Sequence, residues 1–294
     1  MSLNLEMLQV ARLAHRLLGD STDLVANFLR SRMNDDGGFA DRSGKSDLYY
    51  TAFGIGGLLG LQQPLPIPRL RRYLQSFGDG EGLDLVYLAC LARCWSALPS
   101  ERDTATLLDA LRDRIESHRS ADGGYSVDRG GQHGTVYGCF LAVGAYQDLR
   151  RTIPSPASVL TCVQGLRCSD GGYANSADMP IGLTPPSSAA AALVRHLGSA
   201  REPALQQWLL ARFHPAGGFC ATPDVSMPDL LSTATALHAL VGLHADLEAI
   251  KEPCLDFIDT LWTARGGFYG SWEDDELDCE YTYYGLLALG HLSL

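Results

Sequence analysis

Two kinds of segment alternate along the 294 residues of the chain. One kind is amphipathic, with charged side chains along one face, as in TLLDALRDRIESHRS (106–120). The other is apolar nearly all round and rich in Gly, Ala and aromatic residues, as in TVYGCFLAVGAY (135–146) and EYTYYGLLALGHL (280–292). A helix with one charged face lies at a surface, whereas a helix that is apolar on all sides is buried. The pattern therefore predicts outer helices that alternate with inner helices.

A Gly-Gly-aromatic triplet separates the two kinds of segment. It begins at Gly37, Gly123, Gly171, Gly217 and Gly266. The steps between the second glycines are 86, 48, 46 and 49 residues, and a degraded copy, FGDG at 77–80, divides the first step. Six copies with a mean period of about 46 residues fit a repeat of two helices. Because glycine tolerates the left-handed conformation that follows a helix, we expect each pair to end an outer helix.

The repeat fits either an open helical solenoid or a closed ring. The final inner segment, GLLALGHLSL (285–294), is apolar throughout, whereas a solenoid usually carries polar terminal caps. Small residues recur on the inner segments and are expected to let neighbouring inner helices approach. They are Gly54, Gly57, Gly138, Ala189, Ala192, Ala236 and Gly285. We predict an all-α fold, an α/α toroid of six inner and six outer helices in one domain (1–294), with an extra N-terminal helix over roughly 3–18 that lies over the barrel.

Charge and composition exclude several classes of function. The net charge is −11, and nucleic-acid binding needs a concentrated basic face, so no nucleic-acid partner is expected. No run of 18 uncharged apolar residues occurs, and Glu6, Arg12 and Arg16 interrupt the N-terminal segment. We therefore expect a cytoplasmic protein without a signal peptide or an integral membrane segment. The eight cysteines form no CxxC pair, which indicates reduced core thiols rather than a redox motif.

Two stretches of the repeat carry a family resemblance. DGGFADRSGKSDLYYTAFGIGGLLGL (36–61) and DGGYSVDRGGQHGTVYGCFLA (122–142) resemble the repeats of protein prenyltransferase β subunits, above all those of Rab geranylgeranyl transferase and farnesyltransferase. The glycine pattern is shared with terpene and squalene-type cyclases of the same barrel class. The resemblance implies a toroid that binds an isoprenoid diphosphate and works with a helical α-type partner subunit.

The resemblance also implies a zinc ion, held by Asp, Cys and His, that binds the substrate cysteine as a thiolate. The family's Asp-x-Cys-Tyr-Ser stretch matches 278–282 and places Asp278 and Tyr281 on the pattern as catalytic residues, with Glu280 in the cysteine position and Cys279 one residue early. The Asp-x-x-His-Thr stretch matches 47–51, where Tyr50 replaces the histidine. A colinear alignment uses 229–233 and 184–188 instead and retains neither the Cys nor the His. Because zinc also accepts carboxylates, Asp278, Glu280 and Cys279 form the candidate metal set.

The resemblance suggests further residues for the isoprenoid diphosphate. His133 and Tyr281 match a family histidine and tyrosine beside that group. Lys45, in a Gly-Lys-Ser stretch before an inner helix, is placed to pair with a phosphate near a helix N-terminus. Arg42 and Arg129 occupy equivalent loop positions in two repeats. The ordinary alternatives are a helix-start residue bonded to a loop carbonyl for His133, core packing for Tyr281, and solvated loop residues for Lys45, Arg42 and Arg129.

An acidic cluster stands out in local composition. Its six carboxylates within eight residues are Glu273, Asp274, Asp275, Glu276, Asp278 and Glu280. Such a cluster is typical of three situations: a magnesium site for a diphosphate, a general acid as in the cyclases of this barrel class, or a solvated surface loop.

Aromatic residues on the inner segments are expected to line or to fill the barrel. They are Tyr49, Tyr50, Phe53, Tyr137, Phe140, Tyr281, Tyr283 and Tyr284. A lined cavity would suit an isoprenoid tail, with Tyr50, Tyr137 and Tyr284 among the substrate-binding residues. Three hypotheses follow: a prenyltransferase β-subunit-like enzyme, a terpene-cyclase-like enzyme with a proton donor in 273–280, and a non-catalytic toroid that binds a protein partner.

Overall fold

The N-terminal segment forms helices that precede the repeats. The computed structural model describes residues 2–100, 104–198 and 202–294. Helix α1 (Leu3–Ala11) is capped by the Ser2 hydroxyl, which accepts a hydrogen bond from the Leu5 amide. A short helix, α2 (His15–Leu18), follows between two 3₁₀ turns.

The outer helices each bury one stripe of side chains. They are α3 (Thr22–Ser31), α5 (Ile67–Gln75), α7 (Thr104–Glu116), α9 (Pro156–Gly165), α11 (Pro203–Leu210) and α13 (Glu248–Leu261). In α3, for example, Val25, Ala26 and Leu29 are buried, while the opposite face is solvated. Helices α9 and α11 begin at proline, which tolerates the first helical position because the amide there has no partner in the helix.

The inner helices are buried on most sides. They are α4 (Leu48–Gly60), α6 (Leu85–Ser96), α8 (Val136–Asp148), α10 (Thr184–Leu197), α12 (Leu230–Gly242) and α14 (Cys279–Leu292). Five begin after an Asp or Thr whose side chain accepts a backbone amide of the first turn. Helix α10 lacks this cap and carries prolines in its first turn.

The inner helices close into a ring. Each packs against the next, and α14 packs against both α12 and α4. The Tyr49 hydroxyl bonds to Glu280 and the Tyr87 hydroxyl to Asp47, so the first turns of neighbouring inner helices meet at one end. We call this the amino end of the barrel and the opposite end the carboxyl end. The predicted toroid of six inner and six outer helices is confirmed.

Helix α1 lies across the carboxyl end of the barrel, as predicted, but the expected single helix over 3–18 is divided into α1 and α2 by a 3₁₀ turn at Arg12–Ala14. The Leu3 amide donates to Gln147 at 2.7 Å, and Asn4 donates to Asp148 at 2.7 Å. Glu6 pairs with Arg195 at 2.7 Å. These contacts fix α1 to the last turns of α8 and α10.

The glycine pairs do not end the outer helices, so that prediction was wrong. Helix α3 ends at Ser31, whereas Gly37 comes six residues later in a separate tight turn. The chain first forms an antiparallel bridge, Met33 to Phe39 in the first repeat, and the turn that closes this bridge requires the positive φ of 100° at Gly37. Equivalent bridges surround the other four intact triplets.

The inner-helix glycines also serve a purpose other than the predicted one. A Cβ atom at Gly54 would lie 2.2 Å from the Phe39 ring, and one at Gly285 would lie 2.7 Å from the Phe268 ring. The missing side chain therefore makes room for the buried aromatic of the same repeat, and Gly57 likewise faces Leu29 of an outer helix. The aromatic of each triplet thus connects its turn to its inner helix.

Two short hairpins shape the amino end of the barrel. Strand β1 (Phe39–Ala40) pairs with β2 (Ser46–Asp47), and β3 (Phe219–Cys220) pairs with β4 (Pro228–Asp229), both antiparallel. The first hairpin presents its turn, residues 41–45, beside the start of α14, because Arg42 bonds to Asp278 there.

Candidate active site

A cavity of about 240 Å³ lies between the inner helices. Its lining is mainly aromatic and small and includes Tyr49, Tyr137, Phe140, Ala189, Ala192 and Tyr284. A second pocket of about 90 Å³ adjoins it beside Phe53 and shares Tyr49, Tyr137, Phe140 and Tyr284 with it. The predicted aromatics therefore line a cavity at these positions instead of filling the barrel.

Four of the predicted aromatics do not line the main cavity, and one of them, Phe53, lines only the smaller pocket. Tyr50 faces a separate pocket at the amino end, beside Asp47 and Tyr87, and burial raises its pKa to about 12. Tyr283 is fully buried behind the lining. Tyr281 packs over Gly270, with the Arg42 guanidinium 5.5 Å from its ring centre, and burial raises its pKa to about 12.

Glu280 is the acidic group of the cavity. It occupies the first turn of α14 and lines the cavity wall, and its Oε1 atom accepts a hydrogen bond of 2.6 Å from the Tyr49 hydroxyl. Burial raises the pKa of Glu280 to about 7, because the charged form loses its water. The carboxyl group is therefore substantially protonated near neutral pH, and it can donate a proton into an apolar, aromatic space.

Asp278 performs a structural task two residues earlier. Its Oδ1 atom caps α14 by accepting the Tyr281 amide at 2.8 Å, and its Oδ2 atom accepts from Arg42 Nε at 2.9 Å. The side chain is fully buried, and burial raises its pKa although both bonds favour the charged form. Arg42 also forms a two-pronged pair with Asp274 at 2.8 and 3.1 Å. This cluster joins the first hairpin to the loop before α14.

The donor atoms at this place do not fit zinc. Cys279 is fully buried in the core, and burial raises its pKa, so the thiolate that zinc requires is disfavoured. Asp278 is already bonded to Arg42, and Glu280 faces the cavity. In the colinear alternative, Asp229 caps α12 through Ser232. Across residues 2–100, 104–198 and 202–294, no three His, Cys, Asp or Glu side chains come together in a way that would hold a metal ion.

The predicted diphosphate residues lie apart from the cavity. Lys45 is exposed in the hairpin turn, where its backbone amide bonds to Asp41. Arg129 is exposed and donates to the Leu83 carbonyl at 3.3 Å. The His133 side chain is 87% exposed and lies 3.6 Å from Asp122, in a surface pocket between repeats. Arg42, already paired with Asp274 and Asp278, is not free either.

The acidic cluster divides into three parts. Asp274 and Asp278 are neutralised by Arg42. Glu273, Asp275 and Glu276 are exposed to solvent. Glu280 alone reaches the cavity. Because the backbone separates these groups, the cluster does not converge on one cation.

The residue-level prediction missed the polar groups at the carboxyl end of the cavity. His238 lines the cavity and lies 3.0 Å, Nδ1 to Nε2, from His291 on α14. Burial lowers the pKa of His238 to about 4, so this ring is neutral at pH 7. Arg93 lies in the third turn of α6 and faces the smaller pocket. In the sequence, His238 and Arg93 are each a single basic or imidazole side chain within an otherwise apolar segment, and this pattern could have identified them.

In the described part of the chain no helix is both long and apolar enough to cross a membrane.

Comparisons with known proteins agree with this geometry at the level of the fold. No curated protein sequence matches the chain significantly. Among solved structures, the Candida albicans protein geranylgeranyltransferase-I complexed with GGPP superposes with a TM-score of 0.66 at 12% identity, over 92% of this chain and 90% of that one.

A second group of similar structures consists of cyclases. The type II terpene cyclase MstE from Scytonema, in complex with geranylgeranyl dihydroxybenzoate as substrate, superposes with a TM-score of 0.63 at 12% identity, over 95% of this chain and 97% of that one. Identities this low are informative about the fold and not about the activity. The sequence model of the prenyltransferase alpha-alpha toroid domain matches residues 5–75 and 187–293, more than half of the chain. The chain therefore belongs to the prenyltransferase α/α-toroid family.

Proposed function

We propose that this protein is an isoprenoid-converting enzyme in which Glu280 protonates an alkene of a substrate held in the aromatic cavity. The observation that carries the proposal is the Glu280 carboxyl group, bonded to Tyr49 at 2.6 Å and facing an aromatic-lined space. A general acid works best when its pKa lies near the operating pH, and burial raises the pKa of Glu280 to about 7.

Proton transfer from Glu280 begins the proposed reaction. The O–H bond of protonated Glu280 breaks and its electron pair stays on the carboxylate. The π electrons of the terminal alkene form a C–H bond at the less substituted carbon and leave a tertiary carbocation at the other carbon. The Tyr49 hydroxyl already donates to the same carboxyl group, so the carboxylate that forms keeps one charge-assisted hydrogen bond. A second alkene attacks the cation and closes a ring. Loss of a proton from carbon to water then yields a cyclic isomer of the substrate, and the Glu280 carboxylate regains a proton from water, so that no net proton is consumed.

The aromatic lining supports this reaction. Tyr49, Tyr137, Phe140 and Tyr284 line the cavity, and the faces of their rings attract a positive charge, with more effect where water is excluded. A carbocation in this space is consequently stabilised by the surrounding aromatic rings.

The alternative is a prenyltransferase β-subunit activity with an isoprenoid diphosphate, zinc or magnesium, and a helical partner subunit. The stretches 36–61 and 122–142 support it, since they resemble the repeats of that family. It needs a different donor set from the one near Asp278, because Cys279 is buried in the core. Incubation with geranylgeranyl diphosphate, a cysteine-containing peptide and zinc, followed by mass spectrometry of the peptide, tests it directly.

The proposal is tested by product analysis. The full chain is incubated with linear isoprenoid alcohols, acids and diphosphates, and products of unchanged mass but altered retention are sought by chromatography and mass spectrometry. Glu280→Gln retains a hydrogen-bonding partner for Tyr49 but removes the acid, and turnover is expected to fall by about 10² to 10⁴-fold.

Glu273→Gln is the matched control, because Glu273 is exposed in the loop before the same helix. It is expected to retain wild-type turnover. Two results would overturn the proposal: no isomerised product from any substrate in the panel, or cyclisation that survives Glu280→Gln.

A further inference from the structure

Arg93 places a positive charge inside the ring of inner helices. It belongs to α6, where its neighbours in sequence are apolar or small. Its guanidinium carbon lies 5.0 Å from the centre of the Tyr283 ring and 5.5 Å from that of Phe53. A Cβ atom at Gly56 would approach an Arg93 terminal nitrogen to 3.0 Å, so this glycine leaves the space that the guanidinium occupies.

In the described part of the chain, no carboxylate oxygen lies within 4.0 Å of the Arg93 guanidinium. The buried Asp148 carboxylate, which lines the same pocket, attracts it from farther away, and the Tyr283 hydroxyl interacts with it favourably. The arginines elsewhere in the barrel wall behave differently; Arg42 and Arg195, for example, are paired with Asp274 and Glu6. An enclosed guanidinium without a close carboxylate retains N–H donors for an anionic ligand.

Arg93 lies where two pockets meet. One is the pocket of about 90 Å³ that adjoins the aromatic cavity. The other, of about 510 Å³, opens beside α1 and is lined by Asn4, Gln147 and Asp148 as well. Arg93, Asn4 and Ala52 line both pockets. A ligand in the cavity could therefore present one end to Arg93 and to the polar pocket behind it.

We propose that Arg93 binds the anionic head of an isoprenoid amphiphile whose tail occupies the aromatic cavity. The forked guanidinium matches two oxygens of a carboxylate or a phosphate. Arg93 lies in the third turn of α6 and Glu280 in the first turn of α14, which separates them by about 10 Å along the barrel axis. The head then lies toward the carboxyl end, and an alkene of the tail lies at the proton donor.

This inference rests on the proposed function only for the alkene at Glu280; the preference for an anionic head stands by itself. Binding to the full chain is measured by titration calorimetry at fixed ionic strength with three ligands that share one tail: farnesoate, farnesyl diphosphate and farnesol. The carboxylate and the diphosphate distinguish the two sources of the anion, and farnesol is the neutral reference. No turnover is needed for this measurement.

Arg93→Met is expected to weaken binding of at least one anionic ligand by about 10- to 100-fold while farnesol changes by less than about twofold. Arg93→Lys keeps the charge but not the fork and is expected to lie in between. Arg16→Met removes one exposed charge from the N-terminal segment and is expected to bind like the wild type.

A second variant tests the site without removing its charge. Gly56→Ala crowds the guanidinium and is expected to weaken the anionic ligands selectively, and thermal melts establish that each variant is folded. Equal weakening of farnesol and the anions by Arg93→Met would make Arg93 a packing residue and overturn the inference. So would unchanged anion binding, or no binding of any of the three ligands. Failure of the proposed function would appear elsewhere, as absent cyclisation with the anion preference intact.

Discussion

Glu280 and Asp278 show how two carboxylates in one helical turn acquire different tasks. Asp278 is held by Arg42 and the Tyr281 amide, whereas Glu280 has only the Tyr49 hydroxyl and the cavity. The difference comes from side-chain direction, because successive residues of a helix point about 100° apart. One carboxylate therefore joins the loop cluster, and the other faces the cavity.

The raised pKa of Glu280 predicts a pH dependence of stability. Burial raises it from the ordinary 4.5 to about 7, so between these values the folded protein binds more protons than the unfolded chain. The contribution of Glu280 to the free energy of unfolding is therefore fully present below about pH 4.5 and is lost as the pH rises through 7. Glu280→Gln stays neutral, and its free energy of unfolding should rise relative to the wild type between pH 5 and pH 8 by about 1 kcal/mol or more. Urea denaturation at several pH values measures this, and parallel curves for the two proteins would contradict it.

Replacement of Arg42 is expected to lower the free energy of unfolding, because a buried carboxylate loses one hydrogen-bond partner. Arg42→Met leaves the fully buried Asp278 with one bond fewer, and the free energy of unfolding is expected to fall by about 1–3 kcal/mol at pH 8. The loss should shrink at low pH, where Asp278 becomes protonated. Arg151→Met is the control, since the Arg151–Asp109 pair is exposed on both sides. Equal losses in the two variants would show that the Asp278 contact does not matter.

At the scale of the element, the repeat consists of an outer helix, a bridged glycine turn and an inner helix. The aromatic of the turn is buried, and in three repeats a hydroxyl on the inner helix accepts its amide, as Thr51 does for Phe39 at 2.9 Å. In two repeats the inner helix leaves a glycine under the ring, Gly54 under Phe39 and Gly285 under Phe268. The turn therefore sets the position of each inner helix, and with it the residues of the first turn that face the cavity.

Two turn glycines are expected to differ in how much stability is lost when each is replaced by alanine. Gly171 and Gly217 have similar φ values of 95° and 90°. A Cβ atom at Gly171 would meet nothing closer than 3.9 Å, whereas one at Gly217 would lie 1.9 Å from the Pro253 carbonyl oxygen. Gly171→Ala should destabilise by about 1–2 kcal/mol, the conformational cost alone, and Gly217→Ala by clearly more. Thermal or urea denaturation of both variants compares them; similar losses would show that conformation and not space decides.

At the scale of the whole molecule, closure of the ring creates the candidate site. Glu280 begins the last inner helix and Tyr49 the first, and they meet because α14 packs against α4. Helix α1 closes the opposite end through Leu3, Asn4 and Glu6. An acid at one end and a guanidinium toward the other give the cavity a direction.

The folded protein is expected to keep its stability when metal ions are removed with a chelator. Because the donor atoms near Asp278 do not fit zinc, removal of metal with a chelator should change the melting temperature by less than about 1 °C. The melting temperature is measured before and after dialysis against the chelator, with the zinc content determined by mass spectrometry. Stoichiometric zinc together with a lower melting temperature after dialysis would contradict this and would favour the transferase alternative.

The sequence by itself determined the class of the fold and the number of repeats. Alternating helical patterns and the glycine triplets are local signals, and they predicted six helix pairs and an extra helix across the barrel. The purpose of the glycines was misassigned, because what a missing Cβ atom makes room for depends on a residue many positions away, such as Phe39 against Gly54. The family resemblance pointed to the residues around Asp278. It did not show that the Asp278 and Glu280 side chains point in different directions.

Only the tertiary structure decided the roles of the charged groups. Arg42, Lys45, Arg129 and His133 look alike in sequence as loop residues with basic side chains, yet Arg42 is paired with two aspartates and the His133 side chain is mostly exposed. Arg93, which no motif marks, faces the pocket beside the cavity. The physical reason is that burial and pairing arise from residues far apart in the chain, and these two quantities set whether a charge is neutralised, titrated or left for a ligand.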